Sequence, residues 1–408
     1  MELSLKNIGK IREAVIVLDG ITVIAGENDT GKSTISRALF LILDSFYDVQ
    51  KKVEQETERS LLKCLFFFRR KEDSINSLAF VRNIMEHSDE FIESPSLLRD
   101  HLKKHLKSVN EEAFDQLNEE FLECLQISEE EIFSSILEKN IDDEFYGQIQ
   151  NIHTKRTAEI HFSSKNLNAS LEIEEGGLAW SGKSIGRDTS VLYLDNPVIL
   201  NSLRDNLLHL EGYAGHQQKL KSKLTSEQEK ATIVEEIITT KKLDRVYKMI
   251  SKVFDGEIVA KDLRYGWQKG TEEEFLNIKN LSDGLKTFAI LKTLLLNGSI
   301  QTGSVVILDE PEIHLHPEWQ LLFAEIIVLL HKEFDLYILL NTHSHYFLDA
   351  IETYSQKHDV VNSCRYYLAS LDGNFASIED VTGNTEEIYK KLARPLQRLE
   401  NERYHNED

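Results

Sequence analysis

The amino-acid sequence predicts an α/β fold: a mixed sheet with a flanking antiparallel sheet, interrupted by helical insertions. The first observation is an apolar segment at 21–25, followed by a glycine-containing loop and a segment with helical spacing, which is the order of a βα unit. The second is a continuous apolar run at 305–308, typical of a strand buried on both faces. The third is a change to period two over 156–194, which indicates antiparallel strands.

The loop after the first apolar segment reads GENDTGKST and matches the phosphate-loop pattern G-x-x-x-x-G-K-[ST]. Gly26 and Gly31 permit backbone angles that let the loop N–H groups converge on phosphate oxygens. Lys32 supplies a cation for the outer phosphates, and the hydroxyl of Ser33 can ligate Mg²⁺. The following helix points its positive end at the same place. The predicted nucleotide-binding residues are Gly26, Glu27, Asn28, Asp29, Thr30, Gly31, Lys32, Ser33 and Thr34.

Composition is that of a globular protein without membrane segments. The chain has 408 residues, of which 41% are apolar and 28% charged. No apolar run approaches the roughly 20 residues of a membrane-spanning helix, and the N-terminus lacks the apolar stretch of a signal peptide. The three cysteines are far apart and predict no disulfide framework. We therefore expect a cytoplasmic protein with no membrane partner.

The net charge of −22 bears on nucleic acid as a partner. It argues against a surface that binds nucleic acid throughout, because each phosphate contact needs a cation. A local basic groove stays possible. Two basic stretches, 69–71 and 101–107, are typical of solvated helix faces, with contact to a phosphate backbone as the alternative.

The elements divide the chain into five predicted parts. Residues 1–50 hold three short strands, the phosphate loop and its helix, and form the first part of the core. Residues 51–150 show helical spacing amid acidic residues and predict a helical insertion. Residues 151–198 predict the antiparallel sheet, and 199–280 a helical lobe with a short strand pair near 258–267 and 273–278. Residues 281–408 predict the rest of the core, beginning with a helix capped by Ser282.

Two carboxylates follow the apolar run at 305–308. Because ligands bind at the carboxyl ends of strands in open α/β sheets, Asp309 can hold Mg²⁺ through water and Glu310 can orient and deprotonate an attacking water. The alternative is an acidic pair that only caps a helix, and the presence of the phosphate loop favours the first interpretation. His343 follows the next predicted strand and can face the γ-phosphate from the opposite side. Zinc is a further alternative for His314, His316, His343 and His345, although structural zinc usually recruits cysteine.

Taken in order, GENDTGKST, LSDG, VVILDEP, EIHLHP and NTHSH resemble the motifs of ABC-type ATPases of the SMC, RecF and OLD-like branch. The resemblance implies an ABC-type ATPase core with ATP and Mg²⁺ as ligands. It implies that Glu310 is the catalytic base, that His316 belongs to the D-loop and that His343 is the switch histidine. It assigns the signature motif to Ser282, Asp283 and Gly284.

The sequence departs from the family pattern at several positions. Asp283 and Leu285 stand where many relatives carry Gly and Gln, and Asp29 replaces a common Gly. The Q-loop is assigned to 195–197 (Asp-Asn-Pro), with Gln148 and Gln150 as alternatives.

The resemblance implies a nucleotide-gated dimer. The phosphate loop of one copy and the signature motif of the other enclose ATP, and such pairs can build a higher oligomer. ATP binding then favours the closed dimer and hydrolysis releases it.

The compact, helically inserted architecture resembles ATPase subunits of bacterial antiphage systems such as Septu, PARIS and certain retrons. This implies a separate nuclease or toxin as the partner, and the sequence contains no HNH, PD-(D/E)XK or Toprim pattern of its own. One alternative is a RecF-like DNA-repair ATPase that clamps DNA through a local basic patch. Another is an ATP-binding scaffold with little turnover.

Overall fold

A computed structural model describes residues 1–68, 76–106, 111–154, 156–182, 190–203, 213–225, 243–261, 264–270 and 274–405. It divides into two compact units, Met1–Tyr47 with Asn140–Asp408, and Asp48–Lys139. The basic stretch at 69–71, and Lys107 of the second stretch, lie outside the described residues. No described helix has both the length and the apolar character needed to cross a membrane.

The strands are β1 (Glu2–Ile8), β2 (Ile11–Val17), β3 (Ile21–Gly26), β4 (Ala158–Ser163), β5 (Asn168–Glu174), β6 (Gly177–Gly182), β7 (Val191–Leu194), β8 (Glu257–Lys261), β9 (Arg264–Gln268), β10 (Phe275–Asn277), β11 (Val305–Asp309), β12 (Tyr337–Thr342), β13 (Cys364–Asp372) and β14 (Phe375–Asp380). Eleven of them form one mixed sheet in the order β6-β5-β4-β1-β2-β14-β13-β3-β12-β11-β7. The predicted fold class is confirmed.

The described helices are α1 (Lys32–Phe46), α2 (Val49–Phe68), α3 (Ser77–Glu86), α4 (Ser88–Glu93), α5 (Pro95–His105), α6 (Glu111–Gln126), α7 (Glu129–Phe145), α8 (Gly215–Thr225), α9 (243–251), α10 (Asp283–Leu296), α11 (Pro317–Phe334), α12 (His345–Lys357), α13 (Glu386–Leu392) and α14 (Arg394–His405). The core of the larger unit joins α10 to α11. There Phe288 and Phe323 pack edge to face with ring centroids 5.5 Å apart.

The centre of the sheet is parallel and places several functional segments at one edge. Strands β13, β3, β12, β11 and β7 pair in parallel, and every residue of β3 and β7 is buried. The carboxyl ends of parallel strands meet at the same edge of a sheet, where ligands of such folds bind. The phosphate loop, Asp309 and the end of β12 therefore lie side by side.

The antiparallel strands β1, β2 and β4–β6 flank the parallel centre and belong to the same sheet. They join the core through the parallel pairing of Ala376 on β14 with Ile11 on β2. The predicted strand pair at 258–278 differs from the structure. It is a three-stranded sheet in the order β10-β9-β8, because the segment predicted as one strand near 258–267 divides into two antiparallel strands, β8 and β9.

The smaller unit is helical and has an apolar core of its own. Its fully buried side chains include Leu61, Leu98, Leu117 and Phe121. On its surface Lys103 lies 2.7 Å from Glu111, so a cation of the 101–107 stretch pairs with a carboxylate of the same unit, as a solvated helix face does. The five-part division made from the sequence stays a prediction.

Candidate functional site

The phosphate loop connects β3 to α1, and two of its positions require glycine. At Gly26 an added Cβ would lie 2.3 Å from the carbonyl oxygen of Ala369, because β13 pairs directly with the end of β3. Gly31 has φ of 84°, a left-handed conformation that glycine adopts without strain. Thr30 fastens the loop by donating a hydrogen bond of 2.8 Å to the Glu27 carbonyl.

Lys32 is buried and reaches across the loop. Its Nζ donates hydrogen bonds to the carbonyl oxygens of Gly26 at 3.1 Å and Glu27 at 2.7 Å, and it lies 3.9 Å from Oε1 of Glu310. Burial lowers the pKa of the ammonium, and the nearby carboxylates, with Glu310 first among them, partly offset that effect. Lys32 thus places a desolvated cation between the loop and the end of β11.

A cavity of about 450 Å³ opens beside the loop, within the roughly 300–1,000 Å³ range of small-molecule sites. Among its lining residues Lys10 forms an ion pair with Asp29. Gln150 lines the cavity too, with its Nε2 bonded to the Ile173 carbonyl at 2.9 Å. The lining consists of Gly9, Lys10, Asn28, Asp29, Thr30, Gly31, Lys32, Ser33, Thr34, Gln148, Gln150, Ile152 and Glu310.

Asp309 ends β11 with both carboxylate oxygens engaged. Oδ1 accepts from Asn341 Nδ2 at 2.9 Å, and Oδ2 accepts from the Tyr193 hydroxyl at 2.9 Å. The same Asn341 nitrogen also donates to Ser36 Oγ at 2.8 Å. Sequence reasoning missed Tyr193 and Asn341, although each is a polar group inside an apolar strand. These contacts hold the Asp309 carboxylate in one orientation.

Glu310 and His343 lie together at the carboxyl edge of the sheet. Glu310 has φ of 49°, so the chain leaves the strand through a left-handed residue, and its N–H donates to the Asn341 carbonyl at 3.0 Å. Oε1 of Glu310 lies 3.4 Å from Nδ1 of His343. The structure thereby brings Lys32 and His343 close to one carboxylate oxygen of Glu310.

A third carboxyl group, Glu312, was not singled out from the sequence. It is 2% exposed; Oε1 accepts from Thr342 Oγ1 at 2.5 Å and from the His343 N–H at 3.4 Å. Burial raises its pKa, opposed by the Thr342 hydrogen bond. Glu312 therefore ties the turn after β11 to the segment that carries the histidine.

The residues that the resemblance assigns to the signature motif do not line this cavity, and Gly284 lies against the turn after β11. Ser282 caps α10 by accepting from the Leu285 N–H at 3.4 Å. Asp283 accepts from Lys286 Nζ at 2.8 Å. A Cβ on Gly284 would lie 2.7 Å from the carbonyl oxygen of His314.

The other predicted positions lie apart from the cavity. His316 is exposed at the start of α11. Asn196 caps the turn that follows Asp195 by accepting from the Val198 N–H at 2.9 Å. The part of the chain that the structure describes, which includes all four histidines considered for zinc, holds no group of three or more His, Cys, Asp or Glu placed to bind a metal.

The residues present fit a magnesium nucleotide. Loop N–H groups and Lys32 suit phosphate oxygens, and the Ser33 hydroxyl and the Asp309 carboxylate would supply oxygen ligands of the kind that Mg²⁺ prefers. The orientation of Asp309 by two hydrogen bonds is the observation that supports this fit.

Comparison with known proteins gives one family and several structures. The family model described as "AAA domain, putative AbiEii toxin, Type IV TA system" matches residues 21–349. The SMC head domain from Thermotoga maritima is 13% identical, with 93% of this chain and 98% of that chain covered at a TM-score of 0.40. An Smc head bound to the C-winged helix domain of ScpA is 12% identical, with 95% and 98% covered at 0.45. The Smc head with an extended coiled coil bound to the C-terminal domain of ScpA, derived from Pyrococcus furiosus, is 11% identical, with 96% and 99% covered at 0.41.

Proposed function

We propose, from the premise that this chain belongs to the AAA-domain family whose model matches residues 21–349, that two copies enclose ATP head to tail and hydrolyse it. The family supports ATP binding and hydrolysis in general. The finer proposal is that the phosphate loop of one copy meets Ser282, Asp283 and Gly284 of the other. One observation carries the proposed hydrolysis: Lys32 and His343 lie 3.9 and 3.4 Å from the same oxygen of Glu310.

These groups can perform phosphoryl transfer to water. Glu310 accepts the proton of a water that attacks the γ-phosphorus, and the ADP oxygen leaves as the bond to the γ-phosphoryl group breaks. Lys32 neutralises charge on the outer phosphates. His343, exposed beside Glu310, can contact the γ-phosphate side of the site. Mg²⁺ held by Ser33 and Asp309 would supply further charge neutralisation at the phosphates.

The signature residues support the dimeric arrangement because they do not line the cavity of their own copy. The N-terminus of α10 is a suitable anion site, since its first N–H groups and the helix dipole favour negative charge. The γ-phosphate of an ATP bound to the phosphate loop of a second copy would supply the anion. ADP lacks the γ-phosphate, so hydrolysis weakens the dimer.

We further propose that the ATP cycle controls a separate effector, a nuclease or toxin, in antiphage defence. The description of the matched family names a type IV toxin–antitoxin system, which supports a role in a two-component system. The sequence itself has no recognisable nuclease pattern. Co-expression with the product of the neighbouring gene tests this: we expect its activity to change when Lys32 is replaced, and an unchanged activity contradicts effector control.

The dimer is tested with Glu310→Gln, which keeps the shape of the side chain but removes the base. With ATP and Mg²⁺ we expect light scattering to give twice the monomer mass of 47.0 kDa, and turnover to fall by about 10²–10⁴-fold. Adding Ser282→Arg to Glu310→Gln should restore the monomer. Ser128→Arg, at the start of α7, is the matched control and should leave the dimer intact. A Glu310→Gln protein that stays monomeric at every ATP concentration contradicts the sandwich.

A further inference from the structure

A buried ion cluster lies behind the catalytic edge, and the mechanism above makes no use of it. His216 at the start of α8 is 1% exposed. Its Nδ1 lies 2.7 Å from Glu144 Oε1, and its Nε2 lies 3.0 Å from Asp195 Oδ2. The backbone N–H of His216 donates to the other Glu144 oxygen at 3.0 Å, and Gln217 Nε2 donates to Asp195 at 2.7 Å.

The cluster reaches the predicted magnesium ligand through one aromatic ring. The His216 ring stacks on Tyr193, with centroids 4.1 Å apart and planes 25° from parallel. The Tyr193 hydroxyl donates to Asp309 Oδ2 at 2.9 Å. Both rings are almost completely buried, so the path from α8 to Asp309 consists of direct protein contacts.

The surroundings of His216 favour its charged form. Glu144 on α7 and Asp195 after β7 are the carboxylates that face the ring, Tyr193 covers one side of it, and Phe40 on α1 contacts it edge-on at 5.9 Å. Burial lowers the pKa of the imidazole, but the contacts to Asp195 and Glu144 outweigh that effect and raise the pKa to about 9. A neutral ring would leave the buried carboxylate of Glu144 and the partly buried carboxylate of Asp195 without a cation, which is unfavourable.

We propose that His216 is a positioning residue for the magnesium ligand Asp309, acting through Tyr193, so that the placement of α8 sets the affinity for the magnesium nucleotide. The proposal rests on the proposed function and deepens it. The imidazolium anchors α8 to α7 and to the end of β7, and it fixes the ring whose hydroxyl orients Asp309. A displacement of α8, by a partner or by the second copy, would thereby change the orientation of Asp309 at the metal site.

Tyr193→Phe is the first test, because it removes one hydroxyl and leaves the ring in place. We would measure the affinity for a fluorescent ATP analogue over a Mg²⁺ titration and again in EDTA. The Mg²⁺ concentration for half-maximal enhancement should rise about 2–10-fold, as expected for the loss of one hydrogen bond, while the affinity in EDTA stays unchanged. Tyr367→Phe is the matched control: its hydroxyl is also buried but accepts from the Val17 N–H at 2.8 Å, so neither value should change.

His216→Gln is the second test and should shift the Mg²⁺ dependence in the same direction as Tyr193→Phe. Wild-type Mg²⁺ dependence in Tyr193→Phe overturns the positioning role, whether or not His216→Gln folds. Equal losses with Mg²⁺ and with EDTA also overturn it, since they indicate a structural role only. Wild-type protein that shows no Mg²⁺-dependent nucleotide binding contradicts the proposed function itself, so the two failures are distinguishable.

Discussion

Lys32 links the phosphate loop to Glu310, the residue that follows β11. In this structure its ammonium is satisfied by two loop carbonyls and attracted by Glu310, so the side chain is already held where phosphate oxygens would bind. Three hydrogen-bond donors on one desolvated charge give it a stronger effect on an anionic ligand than a surface lysine has.

Lys32→Ala should therefore weaken ATP binding by about 10–100-fold, the effect of losing a charge-assisted hydrogen bond. Isothermal titration calorimetry with an ATP analogue measures it directly. Lys6→Ala is a suitable control, because Lys6 pairs with Glu159 on the antiparallel strands at 3.3 Å. A Lys32→Ala protein with wild-type affinity would place the nucleotide elsewhere.

Glu312 affects the stability of the fold. Burial raises the pKa of this carboxyl group, so the folded protein retains its proton to higher pH than the unfolded chain does. The unfolded chain loses that proton near the ordinary glutamate pKa of 4.5, and the free energy of unfolding falls as pH rises from there through the folded pKa. Above the folded pKa, the ionised side chain therefore lowers the stability of the fold.

At a pH where the Glu312 side chain of the folded protein is ionised, Glu312→Gln should stabilise the protein. The amide oxygen can still accept from Thr342, and the amide carries no charge. We expect its advantage in urea denaturation to shrink as pH falls from 8 toward 5. The exposed Glu172→Gln serves as the control and should show no such trend. A Glu312→Gln protein that is less stable than wild type at pH 8 would show instead that the buried charge stabilises the fold.

At the scale of elements, α10 and the turn after β11 are packed as closely as backbones allow. Gly284 is in the first turn of α10, and a methyl group there would come within 2.7 Å of the His314 carbonyl oxygen. Contacts of that length do not persist, so the helix start and the turn would have to separate.

Gly284→Ala should abolish ATP-dependent dimerisation of the Glu310→Gln protein while leaving the affinity of the monomer for nucleotide unchanged, because Gly284 does not line the cavity. Light scattering and calorimetry measure the two properties separately. Gly383→Ala is the matched control, because nothing lies within 4 Å of its added Cβ. If Gly284→Ala instead loses nucleotide binding, and loses dimerisation only as a consequence, the prediction that the two properties are affected separately is wrong.

The ion cluster of His216, Glu144 and Asp195 makes the stability of the protein depend on pH. His216 has a folded pKa of about 9 against 6.5 in the unfolded chain. Its contribution is therefore fully present below pH 6.5 and is lost as pH rises through about 9. The difference corresponds to at most about 3 kcal/mol.

Wild-type protein should accordingly lose up to about 3 kcal/mol of its free energy of unfolding between pH 6.5 and pH 9.5. The His216→Gln protein should lack this slope. Urea denaturation at half-unit pH steps measures both. Parallel slopes for the two proteins would mean that His216 does not hold a proton in the fold.

At the scale of the whole molecule, net charge limits the partners. The net charge of −22 disfavours binding to DNA, since counterion release requires many phosphate contacts. This favours a protein effector over a DNA clamp.

We expect duplex DNA to bind no tighter than about 10⁻⁶ M at physiological salt, the range of non-specific binding. Fluorescence anisotropy with a labelled duplex, with and without ATP, measures it. Submicromolar binding with a steep salt dependence would instead support the RecF-like alternative.

Much of the fold and of the site is predictable because the relevant patterns are local. The phosphate-loop pattern, its strand and its helix occupy one contiguous segment, and the apolar run at 305–308 with the two carboxylates after it occupies another. Parallel strands bring such segments to one edge in whatever order they pair. The sequence could not show that β4–β6 join the main sheet, or that the strand predicted near 258–267 is two strands, because turn positions inside an alternating pattern are weak signals.

The phosphate-binding loop and the strand-end carboxylates were predictable from the order of residues alone, since spacing along the chain sets both. The side chains that orient them became visible only in the folded chain. Tyr193 meets Asp309 because β7 pairs with β11, and His216 meets Glu144 across 72 positions of sequence. Such contacts depend on strand order and helix packing, which no local pattern encodes.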